Sequence, residues 1–209
     1  MSANRITVQV ICGGDSRVIR ALGIPLAESL KADGVEFREQ GDAPEFLQAS
    51  GRPMAGAGAV AAVFGVLVFL GSWGAKKLLD ELYATKIRPK IDEVVRSTEA
   101  QALKSGRGKK WLFQLGVWYE EERVLILLTL VGDNLRAVMA QEPLLPQLHA
   151  LALTWLRENR SAAPVHLYIA ECGRANLEPL LFERASEAQG YLEGLWPNIV
   201  PTDGTPLAP

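Results

Sequence analysis

The sequence predicts an α+β protein in which two sheet-bearing units are joined by a long apolar helix. Short β-branched runs occur in two groups, residues with helical spacing lie between them, and twenty consecutive residues at 54–73 carry no charge. These observations predict an N-terminal βαβ unit at residues 1–40 and a C-terminal ββαβα domain at residues 111–196. The second unit is large enough to fold alone.

The N-terminal unit begins with an alternating, β-branched strand at residues 5–12. A glycine-containing turn at residues 12–16 leads into an apolar helical pattern. Gly23 and Pro25 interrupt this pattern, so two short helical pieces or one kinked helix are expected. A second short strand is expected at residues 35–39. The polar, proline-containing stretch at residues 41–53 is expected to be a linker.

The uncharged segment 54–73 is interpreted as a transmembrane helix. At about 1.5 Å per residue it would be roughly 30 Å long, the thickness of a bilayer's hydrocarbon core. Trp73, Lys76 and Lys77 follow it and are typical interfacial anchors, since an amphipathic ring and snorkelling ammonium groups suit the headgroup region. The competing interpretation is a helix buried in the core of a soluble domain, although such helices rarely lack a polar face over this length.

The charge distribution predicts an inner-membrane protein whose C-terminal domain is cytoplasmic. Residues 76–110 contain ten Lys or Arg against five Asp or Glu, and positive loops stay inside. The N-terminal unit, however, is too small to fold alone and would add its strands to another sheet. If that sheet belongs to the same chain, a single span is impossible. Three alternatives to this conflict remain open. The helix is re-entrant or interfacial, the N-terminal strands pair with a separate partner, or there is no membrane at all.

Beyond the apolar segment, residues 74–96 predict an amphipathic helical extension, kinked near residues 85–87 by Pro89. A basic loop is expected at residues 97–110. The elements that follow are strands at 111–119 and 124–131, a helix at 144–156, a strand at 165–170, a helix from 176 to about 195, and a flexible tail at 197–209. The second of these strands is uniformly apolar, which is typical of a strand buried on both faces.

A stripe of small residues predicts self-association of the apolar helix. Ala57, Ala61 and Gly65 recur every fourth residue, and Gly58 and Ala62 lie beside them. Such a surface lets two helix backbones approach closely in a membrane. Membrane lipid and further copies of the chain are therefore expected partners.

A second candidate is the turn containing Gly13, Gly14 and Ser16, which lies between a strand and a helix start. Its backbone N–H groups could bind a phosphate. The turn lacks the lysine of a P-loop and contains Asp15, so an ordinary capped turn is favoured.

No catalytic constellation, metal-ligand spacing or cofactor motif is found, so a non-enzymatic protein is expected. A catalytic set of His166, Glu171 and Cys172 is not expected, because His166 and Cys172 are nearly 20 Å apart along a straight strand. His149 is interpreted as structural, and Cys12 and Cys172 as free thiols.

Nucleic-acid binding is not expected either. The net charge is −2, and the basic run has one neighbouring aromatic residue, Trp111. The members of this run are Lys104, Arg107, Lys109 and Lys110. They are interpreted as a solvated loop that could contact anionic lipid if the segment before it spans a membrane.

The order of the strand ITVQVI, the broken helix ending in LAESLKADG, the strand VEFRE and the run AGAGAVAAVFG is similar to a small bacterial family, the effector-associated constant components. This resemblance covers residues 5–75. It implies an adaptor or membrane-proximal part of a bacterial conflict system, encoded beside protease-like or nucleotide-dependent effectors. It implies a partner-binding role, with no catalytic residues.

The sequence therefore predicts a non-enzymatic, membrane-anchored adaptor or effector component that self-associates and binds an unknown protein partner. One alternative is a soluble α/β interaction domain in which both units share one sheet and residues 54–73 are its core helix. Another is a small-molecule sensor with a pocket near Gly13 and Gly14.

Overall fold

A computed structural model describes residues 6–14, 16–38, 60–103, 109–159 and 163–194. Within them, seven strands form one mixed sheet. The strands are β1 (Thr7–Gly14), β2 (Val60–Leu70), β3 (Lys110–Tyr119), β4 (Val124–Gly132), β5 (Val165–Glu171), β6 (Arg174–Ala175) and β7 (Leu180–Phe182). Their order is β1-β2-β3-β4-β5-β6, with β7 also paired to β5.

The strand directions bring several strand ends to one edge of the sheet. The pairs β2–β3 and β4–β5 are parallel, whereas β1–β2 and β3–β4 are antiparallel. The carboxyl ends of β1, β4 and β5 therefore lie at the same edge as the amino ends of β2 and β3. We call this the carboxyl edge, and in open α/β sheets ligands bind at such an edge.

The helical segments are α1 (Ser16–Val18), α2 (Ile24–Ala32), α3 (Lys76–Leu82), α4 (Arg88–Arg96), α5 (Thr98–Gln101), α6 (Leu135–Met139), α7 (Leu145–Glu158) and α8 (Ala185–Gly194). Short π-helical segments, Ile19–Gly23 and Tyr83–Ile87, join α1 to α2 and α3 to α4. Pro25 and Pro89 are each the second residue after one of these segments. Because proline cannot donate to an i−4 carbonyl, the wider π turn accommodates the lost bond without ending the helix.

The two faces of the sheet are covered differently. The core on one face includes Leu26 of α2, Ile91 of α4 and Leu148 of α7, packed over the sheet. The core on the other face includes Ala188 and Leu192 of α8. The central strands are therefore apolar on both sides, as a doubly covered sheet requires.

The prediction of a long apolar helix at 54–73 is wrong. Residues 60–70 form β2 between β1 and β3, and its side chains from Ala62 to Leu70 are buried where they are described. Uniform apolarity here reflects burial on both faces. Residues 54–59 lie outside the described residues.

The predictions that depend on a membrane-spanning helix are also wrong. In the part of the chain that the structure describes, no helix is long and apolar enough to cross a membrane. The single-pass anchor and the inner-membrane localisation with a cytoplasmic C-terminal domain are therefore wrong. The first strands join β3 in one sheet, which is the topology that was expected to make a single span impossible.

Two smaller elements also differ from the sequence prediction. The strand predicted at 35–39 is reduced, within residues 35–38, to one bridge between Phe37 and Val8. The helix predicted from residue 176 begins only at Ala185, because the chain first forms β6 and β7. Between them, the Asn176 side chain accepts a hydrogen bond from the N–H of Ile169 at 2.6 Å and holds the segment against β5.

Candidate ligand-binding cleft

A cleft of about 510 Å³ opens at the carboxyl edge, where β4 and β5 end. This volume falls in the range of about 300–1,000 Å³ that is usual for small-molecule sites. The cleft is lined by residues 131–133 after β4, by Ala137 and Ala140 at α6, by Gln141, Pro143 and Leu144 before α7, and by residues 171–173 after β5.

The chain turns sharply as it leaves β4. A Cβ at Gly132 would lie 2.9 Å from the Val138 nitrogen, so only glycine allows α6 to approach the strand end this closely. Asn134 then caps α6, since its Oδ1 accepts a hydrogen bond from the Ala137 N–H at 2.9 Å. Together these features place α6 over one side of the cleft.

A tight hairpin forms the opposite wall. Glu171 pairs with Arg174, which leaves Cys172 and Gly173 as a two-residue loop. Both loop residues have positive φ, 52° and 75°, as a type I′ turn requires. Cys172 is exposed, and its place in the loop puts it on the wall of the cleft.

Gln141 connects the two walls. Its Nε2 donates to the Val131 carbonyl at 2.7 Å, and its Oε1 accepts from the Gly173 N–H at 3.3 Å. One side chain thus bonds to the end of β4 and to the loop after β5. The distance between the two walls is fixed by the protein before any ligand binds.

Three charged groups meet beside the cleft. Lys110 Nζ lies 2.7 Å from Glu171 Oε1 and 2.8 Å from Asp133 Oδ1. Burial alone would lower the pKa of the Lys110 ammonium, but its hydrogen bonds to Asp133 and Glu171 outweigh burial and raise this pKa. The Lys110 ammonium is therefore shared between two carboxyl groups.

The second oxygen of Glu171 is the unusual atom of the site. The Glu171 side chain is 5% exposed, yet its Oε2 is buried without a hydrogen-bond partner among the described residues. Leaving a buried polar oxygen unpaired costs free energy, more so when it belongs to a charged group. A hydrogen-bond donor that reached Oε2 would recover this free energy.

The predicted ligand turn lies elsewhere. Gly13 and Gly14 end β1, and Ser16 starts the three-residue helix α1. This end of β1 is three strands away from β4 along the sheet and does not line the cleft.

At Gly23, an added Cβ would meet Cys12 at 2.8 Å, so the glycine allows the helix to cross the strand closely. Burial raises the pKa of the Cys12 thiol to about 11.

The predicted helix-association face does not exist as a helix face. Ala61, Ala62 and Gly65 lie in β2, and Ala57 and Gly58 lie outside the described residues. The three residues proposed as interfacial anchors follow β2. Trp73 is in a short 3₁₀ turn, Lys76 and Lys77 begin α3, and Lys76 pairs with Asp80 one turn later.

The chain's two histidines are buried away from the cleft. His149 Nε2 is hydrogen-bonded to Tyr119 Oη at 2.7 Å, and burial, with Lys76 nearby, lowers the His149 pKa to about 4. His166 Nε2 is hydrogen-bonded to the Ala163 carbonyl at 3.0 Å, and burial lowers its pKa as well. His166 opposes Ile126 near the start of the parallel pair, so it is remote from Cys172.

A second buried carboxyl group, that of Glu142, has a partner for each of its oxygens. Glu142 is 5% exposed, and its Oε1 accepts a hydrogen bond from the Tyr83 hydroxyl at 2.8 Å. Its Oε2 lies 3.2 Å from Arg88. Burial and the Glu142 charge both raise the Tyr83 pKa. This group joins the α3–α4 helix to the turn before α7.

Sequence reasoning set Glu171 and Cys172 aside and missed Lys110, Asp133 and Gln141 as site residues. The available signal was their position: Asp133 and Glu171 come where apolar strands end, and Lys110 comes where another begins. Among the described residues, no three His, Cys, Asp or Glu side chains are grouped as a metal site would need.

No protein-family model matches the chain, and neither the curated proteins nor the solved structures contain a match to it. The resemblance to effector-associated constant components therefore stays a prediction.

Proposed function

We propose that this chain is a non-enzymatic module that binds a small molecule in the cleft between the ends of β4 and β5. The observation that carries the proposal is the cleft itself, about 510 Å³ with a mostly apolar lining and a few polar groups at one side. This combination is characteristic of small-molecule sites, in which apolar walls supply contact area and polar groups orient the ligand.

Preorganisation supports the proposal. Gln141 bridges the two walls, Asn134 caps α6, and the loop at Cys172 and Gly173 is a two-residue turn. A site already held open by its own hydrogen bonds loses little conformational entropy when a ligand enters.

A binding role fits the chemistry better than catalysis. A nucleophilic thiol needs a base within about 3 Å. Cys172 is the nucleophile candidate at the cleft, but His149 and His166 are bonded to Tyr119 and Ala163, away from it. Lys110 is engaged with two carboxyl groups. Self-association and a protein partner remain predictions.

The proposal is tested by thermal unfolding of the full chain against a broad panel of small metabolites. Ala140→Trp fills the cleft from an exposed position, and Ala150→Trp places the same side chain on an exposed position of α7. A ligand at a hundred times its Kd stabilises by about 2.7 kcal/mol, which is a shift of several degrees in Tm.

We expect ligands that raise the Tm of the wild type and of Ala150→Trp but not of Ala140→Trp. If no compound in the panel stabilises the wild type, or if Ala140→Trp responds equally, the proposal fails.

A further inference from the structure

The unpartnered oxygen of Glu171 points to the chemistry of the ligand. Resting on the proposed function above, we propose that the cleft binds a compound with an ammonium or guanidinium group on an apolar body, and that this cationic group donates a hydrogen bond to Glu171 Oε2.

The incomplete bonding of Glu171 calls for a hydrogen-bond donor. This residue lines the cleft and is almost fully buried, and Lys110 satisfies only Oε1. Oxygen atoms of a carboxylate accept hydrogen bonds and cannot donate them. The missing partner must therefore be a donor. Because Oε2 is closed to water in this structure, a ligand in the cleft reaches it by turning the Glu171 carboxyl group toward the cleft.

Charge also favours a cationic ligand. Lys110 is shared between Asp133 and Glu171, so its charge is divided between the two carboxyl groups. Asp133 is 79% exposed and well screened by water, whereas Glu171 is buried and is screened less. The buried carboxylate would attract a cationic ligand and repel an anionic one.

The apolar part of the lining favours a ligand with a carbon body. Val131, Ala137, Pro143 and Leu144 offer carbon surface along the cleft. A small hydrated cation would gain little from these contacts, whereas an amine with an aromatic or aliphatic body would bury apolar area against them. Charge at one end and carbon at the other therefore define the class.

A neutral hydroxyl could also donate to Oε2, so the test compares charge at constant shape. The probes are phenethylamine, 2-phenylethanol and 3-phenylpropionate at pH 7, titrated into the full chain by calorimetry. Hydrogen bonds between two charged groups are roughly twice as strong as neutral ones. We expect the amine to bind at least tenfold more tightly than the alcohol, and the acid to bind most weakly.

Two variants examine Glu171 directly. Glu171→Gln keeps the shape and removes the charge, so the affinities of the amine and the alcohol should come within about threefold of each other. Lys110→Met removes the competing cation, so amine affinity should rise. Glu121→Gln, an exposed position in the turn after β3, is the matched control and should leave all three affinities unchanged.

The outcomes separate this inference from the function on which it rests. Binding of the alcohol or the acid as tightly as the amine, abolished by Ala140→Trp, overturns the cationic ligand and leaves the cleft as a binding site. Absence of binding by all three probes also overturns the inference, and the metabolite panel then decides the proposed function alone. An amine preference that survives Glu171→Gln and does not rise in Lys110→Met overturns the role of Glu171.

Discussion

Two buried glutamates of this protein are equally hidden from water and differently bonded. Glu142 is 5% exposed and both of its oxygens have partners, the Tyr83 hydroxyl and the Arg88 guanidinium. Glu171 is 4% exposed, but only one of its oxygens is bonded, to Lys110.

The difference separates a structural carboxyl group from a recognition group. Glu142 joins two helical segments, and its bonding is completed within the chain. Glu171 stands at a cleft, at the end of a parallel strand pair, and its bonding is left incomplete. Burial alone does not distinguish the two residues. The difference lies in whether each buried oxygen has a hydrogen-bond partner.

The largest effect is expected in the sheet itself, whose strand β5 ends at Glu171. At Gly65 of β2, an added Cβ would lie 1.8 Å from the Gln114 carbonyl oxygen of β3. Gly65→Ala should therefore lower the free energy of unfolding by about 3 kcal/mol or more, measured by urea denaturation. At Gly190 of α8 a Cβ meets nothing within 4 Å, so Gly190→Ala should stabilise by about 0.5 kcal/mol. A tolerated Gly65→Ala would mean that residues 60–70 are not this strand.

The next effect extends the comparison to a partnered histidine. The folded-state pKa of His149 is about 4, against an ordinary value of 6.5. Between these values the unfolded chain binds a proton that the folded chain does not. Stability should therefore fall by up to about 3 kcal/mol as pH drops from 7 to 4, and then level off for this group. His149→Gln should remove that part of the slope in urea denaturation at several pH values. Equal slopes in both proteins would contradict the assignment.

A smaller effect is expected at the structural glutamate. Glu142→Gln weakens the bond from Tyr83 and turns an amide toward Arg88, so we expect a loss of about 1–2 kcal/mol in unfolding free energy. Arg88 is half exposed, so its ion pair contributes little of this. A double-mutant cycle with Tyr83→Phe should recover most of the loss as coupling. Additive losses would show that the Tyr83 bond is not what Glu142 supplies.

The smallest effect is expected at the recognition glutamate. Glu171→Gln removes a charge whose second oxygen has no partner, and Lys110 keeps Asp133, so unfolding free energy should change by less than about 0.5 kcal/mol. The same urea titrations provide the comparison. A loss as large as that of Glu142→Gln would make Glu171 structural and remove the distinction between the two sites.

Local patterns predicted part of the fold. The alternating and apolar runs of β3, β4 and β5 and the helical stripe of α7 are visible in sequence because each depends on neighbouring residues. The prediction of a helix at 54–73 was wrong because a buried central strand and a membrane helix can both be uniformly apolar. Its β-branched and aromatic content, Val63, Phe64, Val66, Val68 and Phe69, was the signal favouring a strand.

The cleft could not be derived in the same way. Lys110 and Glu171 are 61 residues apart, and they meet only because β3, β4 and β5 are neighbours in the sheet. That order depends on long-range pairing, which periodicity does not reveal. The sequence could have indicated that Asp133 and Glu171 lie at the ends of apolar strands. It could not have indicated that their partner, Lys110, lies at the start of β3.

The most direct test of the account is backbone amide chemical-shift mapping of the isotope-labelled full chain during a phenethylamine titration. Saturable shifts are expected at Gly132, Asp133, Cys172 and Gly173. In Glu171→Gln they should saturate only at about tenfold higher amine concentration, and in Glu121→Gln they should be unchanged. Shifts centred on Gly13 and Gly14, or scattered without saturation, would contradict a cationic-ligand site at the ends of β4 and β5.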